Sequence, residues 1–163
     1  MKFESLGAEE KKMIKHVEKN NIFVLETKSF HYVLGIDGEG FNRHIHWGEK
    51  CDVNDYEFEA VHGISSNDPA LNGIKQEITP FGSTMYRECD IKARFEDGCR
   101  EIFLVYKGFE QNGDTLKLHF EDEYYPLGVT LCYEVFEEYD IIKRYVTLTN
   151  TGSDDIVFER IFS

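Results

Sequence analysis

Basic residues are scarce in this chain. Its 163 residues include 18 lysines and arginines against 31 aspartates and glutamates, a formal net charge of −13. Such a surface repels nucleic acid and anionic bilayers before contact forms, which argues against both as partners. Long hydrophobic runs are missing as well: nothing approaches the roughly twenty apolar residues of a membrane span. The opening segment MKFESLGAEEKK lacks the apolar core of a signal peptide. Cysteine is sparse, and Cys51, Cys89, Cys99 and Cys132 form no CxxC pair of the kind that zinc sites and redox motifs use. They read as free thiols, buried or half-buried, in a protein of the reduced cytoplasm. Internal repeats and low-complexity tracts are also absent from the sequence. The length fits one domain, large enough to bury a core without metals or disulfides.

What is present is alternation. In the stretch GVTLCYEVFEEYDIIKRYVTLTNTG, residues Gly128 to Gly152, apolar side chains at Val129, Leu131, Tyr133 and Val135 recur every second residue. That spacing puts them on one face of a strand, with Cys132 on the other. Ile142, Val146 and Leu148 repeat the pattern beyond the acidic turn Glu137-Glu138-Tyr139-Asp140. Further strands are predicted at Ile22 to Thr27, Phe30 to Ile36, Asn42 to Trp47, Asp90 to Glu96, Glu101 to Phe109, Thr115 to Glu121 and Ile156 to Phe162. Turn-forming residues such as Asp37-Gly38-Glu39-Gly40, Asn112-Gly113-Asp114 and Asn150-Thr151-Gly152-Ser153 separate most of them. The sum is an all-β chain, an antiparallel β-sandwich.

Two segments break the pattern. Over Ala8 to Lys19, Met13, Ile14 and Val17 share one helical face among charged residues, which predicts a short amphipathic helix ended by Asn20-Asn21. Residues 1–20 are therefore taken as a helical segment and 21–163 as the sandwich. Glu49 to Pro80 is a long irregular connection rich in Ser, Asn, Asp, Pro and Gly, and a connection of this length is a natural place for a ligand or partner contact.

Residues with chemical potential are few. His44 and His46, one residue apart on a strand, are expected to point to the same side. With Gly38 and Glu49 they resemble the first metal motif of cupins, although Glu49 follows after two intervening residues rather than three or four. No metal is assigned on that basis. The acids Glu137-Glu138, Asp154-Asp155, Asp122-Glu123 and Asp97 fall at predicted turns, where carboxylates are solvated charges, and no pair is singled out as a glycosidase pair. Arg144 interrupts an apolar face and needs a partner or an open edge, the partner being either a turn acid or a carbonyl of this chain, or a sugar or second subunit; Arg87 has the same ambiguity. Among 13 Phe, 9 Tyr and one Trp, most fill the core, and Trp47, beside a glycine and facing the long connection, is the candidate for stacking on a sugar.

Three blocks, in order, resemble the N-terminal β-supersandwich region of family 36 α-galactosidases. Gly128-Val129-Thr130-Leu131-Cys132-Tyr133 through Phe136-Glu137 and Asp140-Ile141-Ile142-Lys143-Arg144 is similar to the family's "GLEVTLxYxxFExxDVIxR", and is followed by Asn150-Thr151-Gly152 and Phe158-Glu159-Arg160-Ile161-Phe162-Ser163. His44-Ile45-His46-Trp47-Gly48-Glu49-Lys50 resembles "LHLYWGK". Gln76-Glu77-Ile78-Thr79-Pro80-Phe81-Gly82-Ser83-Thr84-Met85-Tyr86-Arg87 resembles "QEYPxYGxGDFR", with departures at Ile78-Thr79 and Met85. The resemblance implies part of a galactose-mutarotase-like supersandwich without catalytic residues of its own. In that family the two catalytic aspartates belong to a later (β/α)8 barrel. It further implies a region that supports the catalytic barrel of the same enzyme, helps assemble subunits as a homo-oligomer, and sends the Glu49 to Pro80 connection toward a neighbouring active site. The parent reaction would be retaining hydrolysis of terminal α-galactosides, and no cofactor is implied. A stand-alone carbohydrate-binding or mutarotase-like protein and a cupin-like metal protein remain the alternatives.

Overall fold

The computed structural model describes residues 12–60, 75–82 and 88–162. Through them run β1 (Ile14–Val17), β2 (Ile22–Glu26), β3 (Phe30–Ile36), β4 (Asn42–Glu49), β5 (Ile91–Arg94), β6 (Leu104–Asn112), β7 (Thr115–Asp122), β8 (Leu127–Phe136), β9 (Ile141–Asn150) and β10 (Val157–Ile161). Two antiparallel meanders, β1-β2-β3-β4 and β6-β7-β8-β9, are joined by a small ribbon of β5 with β10. Inward side chains of both meanders meet in one core, with Phe23, Leu25 and Leu34 from the first against Leu118, Leu131 and Tyr133 from the second. This is the expected sandwich.

The longest pairing follows from the clearest alternation. β8 and β9 pair in unbroken register from Leu127 opposite Asn150 to Phe136 opposite Ile141. Val129, Leu131, Tyr133 and Val135 are all buried. Cys132, on the opposite face, is buried too, beside its cross-strand partner Tyr145. Strand β2 reads instead as a continuous apolar run, because its outer face is also covered. Ile22 and Val24 pack there with Val33 and Tyr56, flanked by Val53, Ile45 and Phe58. A strand covered on both faces loses its polar half. Phe58 approaches so closely that a Cβ at Gly35 would sit 2.9 Å from its ring.

The helix expected over Ala8 to Lys19 is not formed in its described part. Ile14–Val17 is strand β1, paired antiparallel with β2, and a 3-10 turn covers Glu18–Asn20. Met13, Ile14 and Val17 suit a helical face, but Ile14 is fully buried in the core at the free edge of β2. Backbone pairing with β2 supplies hydrogen bonds and burial together, and this overrides a weak local propensity. The Ala8 to Lys11 part of that expectation lies outside the described residues. The same device recurs across the molecule: the 3-10 turns Glu18–Asn20 and Glu137–Tyr139 each end on a left-handed residue, Asn21 (φ 51°) and Asp140 (φ 53°). Asn and Asp tolerate that conformation better than other side chains. Asp140 Oδ1 also accepts from Ser29 N at 2.8 Å, which ties the β8–β9 turn to the β2–β3 turn of the other sheet.

Truncating Ile14→Ala is expected to cost about 3 kcal/mol in urea-denaturation stability, as for other fully buried isoleucines. A loss below about 0.5 kcal/mol, the behaviour of an exposed position, would show that β1 is not part of the core.

Candidate functional site

The two edges of the sandwich close differently. At the β1/β6 edge, Gln111 Nε2 donates to Ile14 O at 2.8 Å, and His16 packs on Phe109 with ring centroids 4.6 Å apart. At the β4/β9 edge the residues just before Pro80 fill the gap. His44 N donates to Lys75 O (2.7 Å), Glu77 N to Asn42 O (3.3 Å) and Ile78 N to Asn42 Oδ1 (2.9 Å). The segment thus runs along β4 like a short extra strand. Its pleat sends the Glu77 side chain inward.

Glu77 is the centre of what lies there. Its carboxylate is 2 % exposed and receives hydrogen bonds from strands of both sheets. Tyr32 Oη on β3 donates to both oxygens at 2.9 Å, and Tyr133 Oη on β8 donates to Oε2 at 2.6 Å. His44 Nδ1 on β4 lies 2.8 Å from Oε1. An ionised carboxylate only accepts, so that nitrogen carries the proton. Arg144 on β9 completes the set: its Nε lies 3.6 Å from Oε2 and its Nη2 donates to the Glu77 carbonyl. Burial alone, the largest single influence, pushes the Glu77 pKa up. The bonds from His44 and Tyr133, the charge of Arg144 and the bond from Tyr32 outweigh it and leave the carboxyl below the usual glutamate range. The same surroundings push both phenols up, first by burial and then by the Glu77 charge. The arrangement is a buried carboxylate held ionised by four side chains, with Arg144 as its counter-ion.

The other expected site residues separate. His44 and His46 do not share a side, because β3 pairs Leu34 with His44 and Val33 with His46, leaving Ile45 as a bulge. An extra residue reverses the alternation. His44 turns to Glu77, whereas His46 Nε2 donates to Glu49 O at 3.0 Å and its ring packs on Tyr56. Among the described residues no three His, Cys, Asp or Glu side chains are grouped to hold a metal. Trp47 is 71 % exposed at the β4/β9 edge, close to Phe30 and Tyr32. Arg144 stands on the inward face of β9, and the partner that it needed is Glu77, an acid of the long connection rather than of a turn. Both described ends of that connection are pinned to the body, one by buried Tyr56, whose hydroxyl lies 2.9 Å from His31 Nδ1, and one by Glu77. Arg87 lies outside the described residues. Of the cysteines, Cys89 and Cys132 are buried and Cys99 is half-buried, as expected, whereas Cys51 is exposed.

In the sequence Glu77 stands out only as a letter within a block, His44 as a partner of His46 and Tyr133 as a core-facing residue, and nothing local joins the three. The signal was there: His44, Glu77, Tyr133 and Arg144 each stand where the family patterns carry the same residue type.

Comparison with known proteins identifies the family. The family model for the glycosyl hydrolase family 36 N-terminal domain matches residues 40–163, and the chain belongs to this family. It is 30 % identical to the bifunctional alpha-galactosidase/sucrose kinase AgaSK of Mediterraneibacter gnavus, over 85 % of this chain and 18 % of that protein. It is 25 % identical to alpha-galactosidase AgaA of Geobacillus stearothermophilus, over 85 % of this chain and 24 % of the relative. Among solved structures, the galactosidase domain of AgaSK superposes with a TM-score of 0.78 at 26 % identity, covering 91 % of this chain and 24 % of that one. The alpha-galactosidase AgaB of Geobacillus stearothermophilus has a TM-score of 0.78 at 22 % identity, covering 92 % and 24 %. The chain therefore spans about a quarter or less of these relatives and corresponds to their N-terminal domain, without their catalytic domain.

Replacing Glu77→Gln leaves Arg144 without its counter-ion and is expected to cost about 3 kcal/mol at neutral pH. Because the folded-state pKa lies below the unfolded one, the stabilisation by the carboxylate is complete above the unfolded value of about 4.3. It is lost as pH falls through the lower folded-state value. Denaturation of both proteins across pH should show the gap narrowing only below about pH 4; a gap that stays constant into strong acid would contradict the assignment.

Proposed function

We propose that this chain is the N-terminal scaffold of an α-galactosidase that hydrolyses terminal α-galactosides such as melibiose or raffinose, with the reaction carried by a catalytic barrel outside these residues. The observation that carries the proposal is the use made of Glu77. Retaining hydrolysis needs two carboxyl groups about 5 Å apart on either side of the scissile bond, one free to attack and one free to exchange a proton. Glu77 has both oxygens engaged by donors and lies sealed between the sheets, so it serves the fold and not the chemistry.

The same reading covers three further points. Assembly of subunits through this region is supported by the exposed Val157, Ile161 and Phe162 on and beside β10. Location in the reduced cytoplasm is supported by four free thiols. Contact with a galactoside, with Trp47 as the residue, is supported by the exposure of that side chain at the sandwich edge.

The purified 163-residue chain, incubated with an aryl α-galactoside, is expected to release no more chromophore than buffer alone. Turnover well above buffer that survives repurification would overturn the scaffold reading.

A further inference from the structure

Beside the Glu77 cluster, on its solvent side, lies a cleft of about 130 Å³ lined by Phe30, Tyr32, Trp47, Tyr133, Ile142 and Arg144. Four strands contribute to it, so its walls belong to both sheets. Trp47 stands at its mouth, 71 % exposed, with the Phe30 and Tyr32 rings 6.4 Å and 6.2 Å away. Tyr133, Ile142 and Arg144 form the wall that faces the core.

The charges decide what such a cleft accepts. Arg144 is already neutralised by Glu77, so an anionic ligand would meet the repulsion of that carboxylate behind the guanidinium, and a cation would meet Arg144 itself. A purely hydrocarbon ligand fails for a different reason. The Arg144 side chain stays 24 % exposed, and an apolar occupant would strip water from its guanidinium without supplying an acceptor. The hydroxyls of Tyr32 and Tyr133 donate to Glu77; Tyr133 is fully buried, so of the two phenols only the partly buried Tyr32 is left to accept from a ligand. A neutral ligand that carries both donors and acceptors on one side and an apolar face on the other satisfies all of these conditions. A pyranose ring has that construction: its axial C–H bonds make a face that packs on aromatic rings, and its hydroxyls both give and take hydrogen bonds.

We propose that this cleft binds one neutral pyranose unit, stacked on Trp47 with its hydroxyls toward Arg144 and Tyr32. The choice of galactose among pyranoses rests on the proposed function; the neutrality and the shape of the site do not. A cleft this small engages one ring and not a chain of them. Its affinity is on the order of millimolar, as expected for a ligand with few atoms to bury.

Trp47 is the chain's single tryptophan, so intrinsic fluorescence reports this site alone. Titration with methyl α-galactopyranoside is expected to give a saturable change with a midpoint on the order of millimolar. Ile142→Phe, which narrows the cleft and keeps the indole, should abolish that change. Trp47→Ala, at an exposed position compatible with the fold, should lose at least tenfold of the saturation transfer that NMR detects from the sugar to the wild-type protein. Saturation with methyl α-glucopyranoside but not with the galactoside would support the cleft while counting against the α-galactosidase reading. No saturable response to either glycoside up to about 0.1 M, or undiminished saturation transfer in folded Trp47→Ala, would overturn the proposal.

Discussion

A carboxylate held between two sheets governs this structure. Sandwich cores are held by apolar contact, which is strong but has no direction, and such contact leaves one sheet free to slide against the other. Glu77 removes that freedom. Its partners Tyr32 and His44 come from one meander, and Tyr133 and Arg144 from the other. An apolar set of the same volume would be at least as stable, because burying charge costs several kcal/mol before pairing returns it. What the ionic set adds is geometry: hydrogen bonds fail beyond a few tenths of an ångström, so the four strands have one relative position that satisfies them all.

The strands were legible because their alternation is local. The sequence bounds β3 correctly and puts the apolar faces of β8 and β9 on the core, with Arg144 the polar exception on β9. β1 was not legible. Four residues carry too little period to separate strand from helix, and the decision was made by the free edge of β2, a feature of the assembled sheet. The histidine pair failed on a similar account. Alternation put His44 and His46 together, and one bulged residue, Ile45, set them apart. Such a bulge leaves no mark in composition.

Glu77 itself was hidden by its surroundings in the chain. Within a connection rich in turn formers it reads as one more solvated acid, and its partners lie 33 to 67 residues away in sequence. No window spans that distance. The order of the three blocks did carry the information in another form, since each contributes to one cluster: His44 from the first, Glu77 from the second, Tyr133 and Arg144 from the third. The features by which the family resemblance was seen are thus, in space, the fastening between the sheets. The fastening is complete within residues 32–144, well inside a chain that has a quarter or less of its relatives' length.

The same fastening shapes what the surface beside it can do. By pairing with Arg144 from within, Glu77 cancels the charge that would make this edge an anion site, yet the guanidinium remains partly exposed beside Tyr32 and an exposed indole. A reactive acid at that place would require the opposite arrangement, with fewer donors on the carboxylate and a path for its proton. Three donors on the Glu77 carboxylate and the charge of Arg144 beside it make it a poor base and a poor nucleophile, and they hold the groups around it in place. Rigid, neutral and half-apolar is the character of a surface that holds a molecule without transforming it, which is the division of labour expected of a domain whose catalytic partner lies elsewhere.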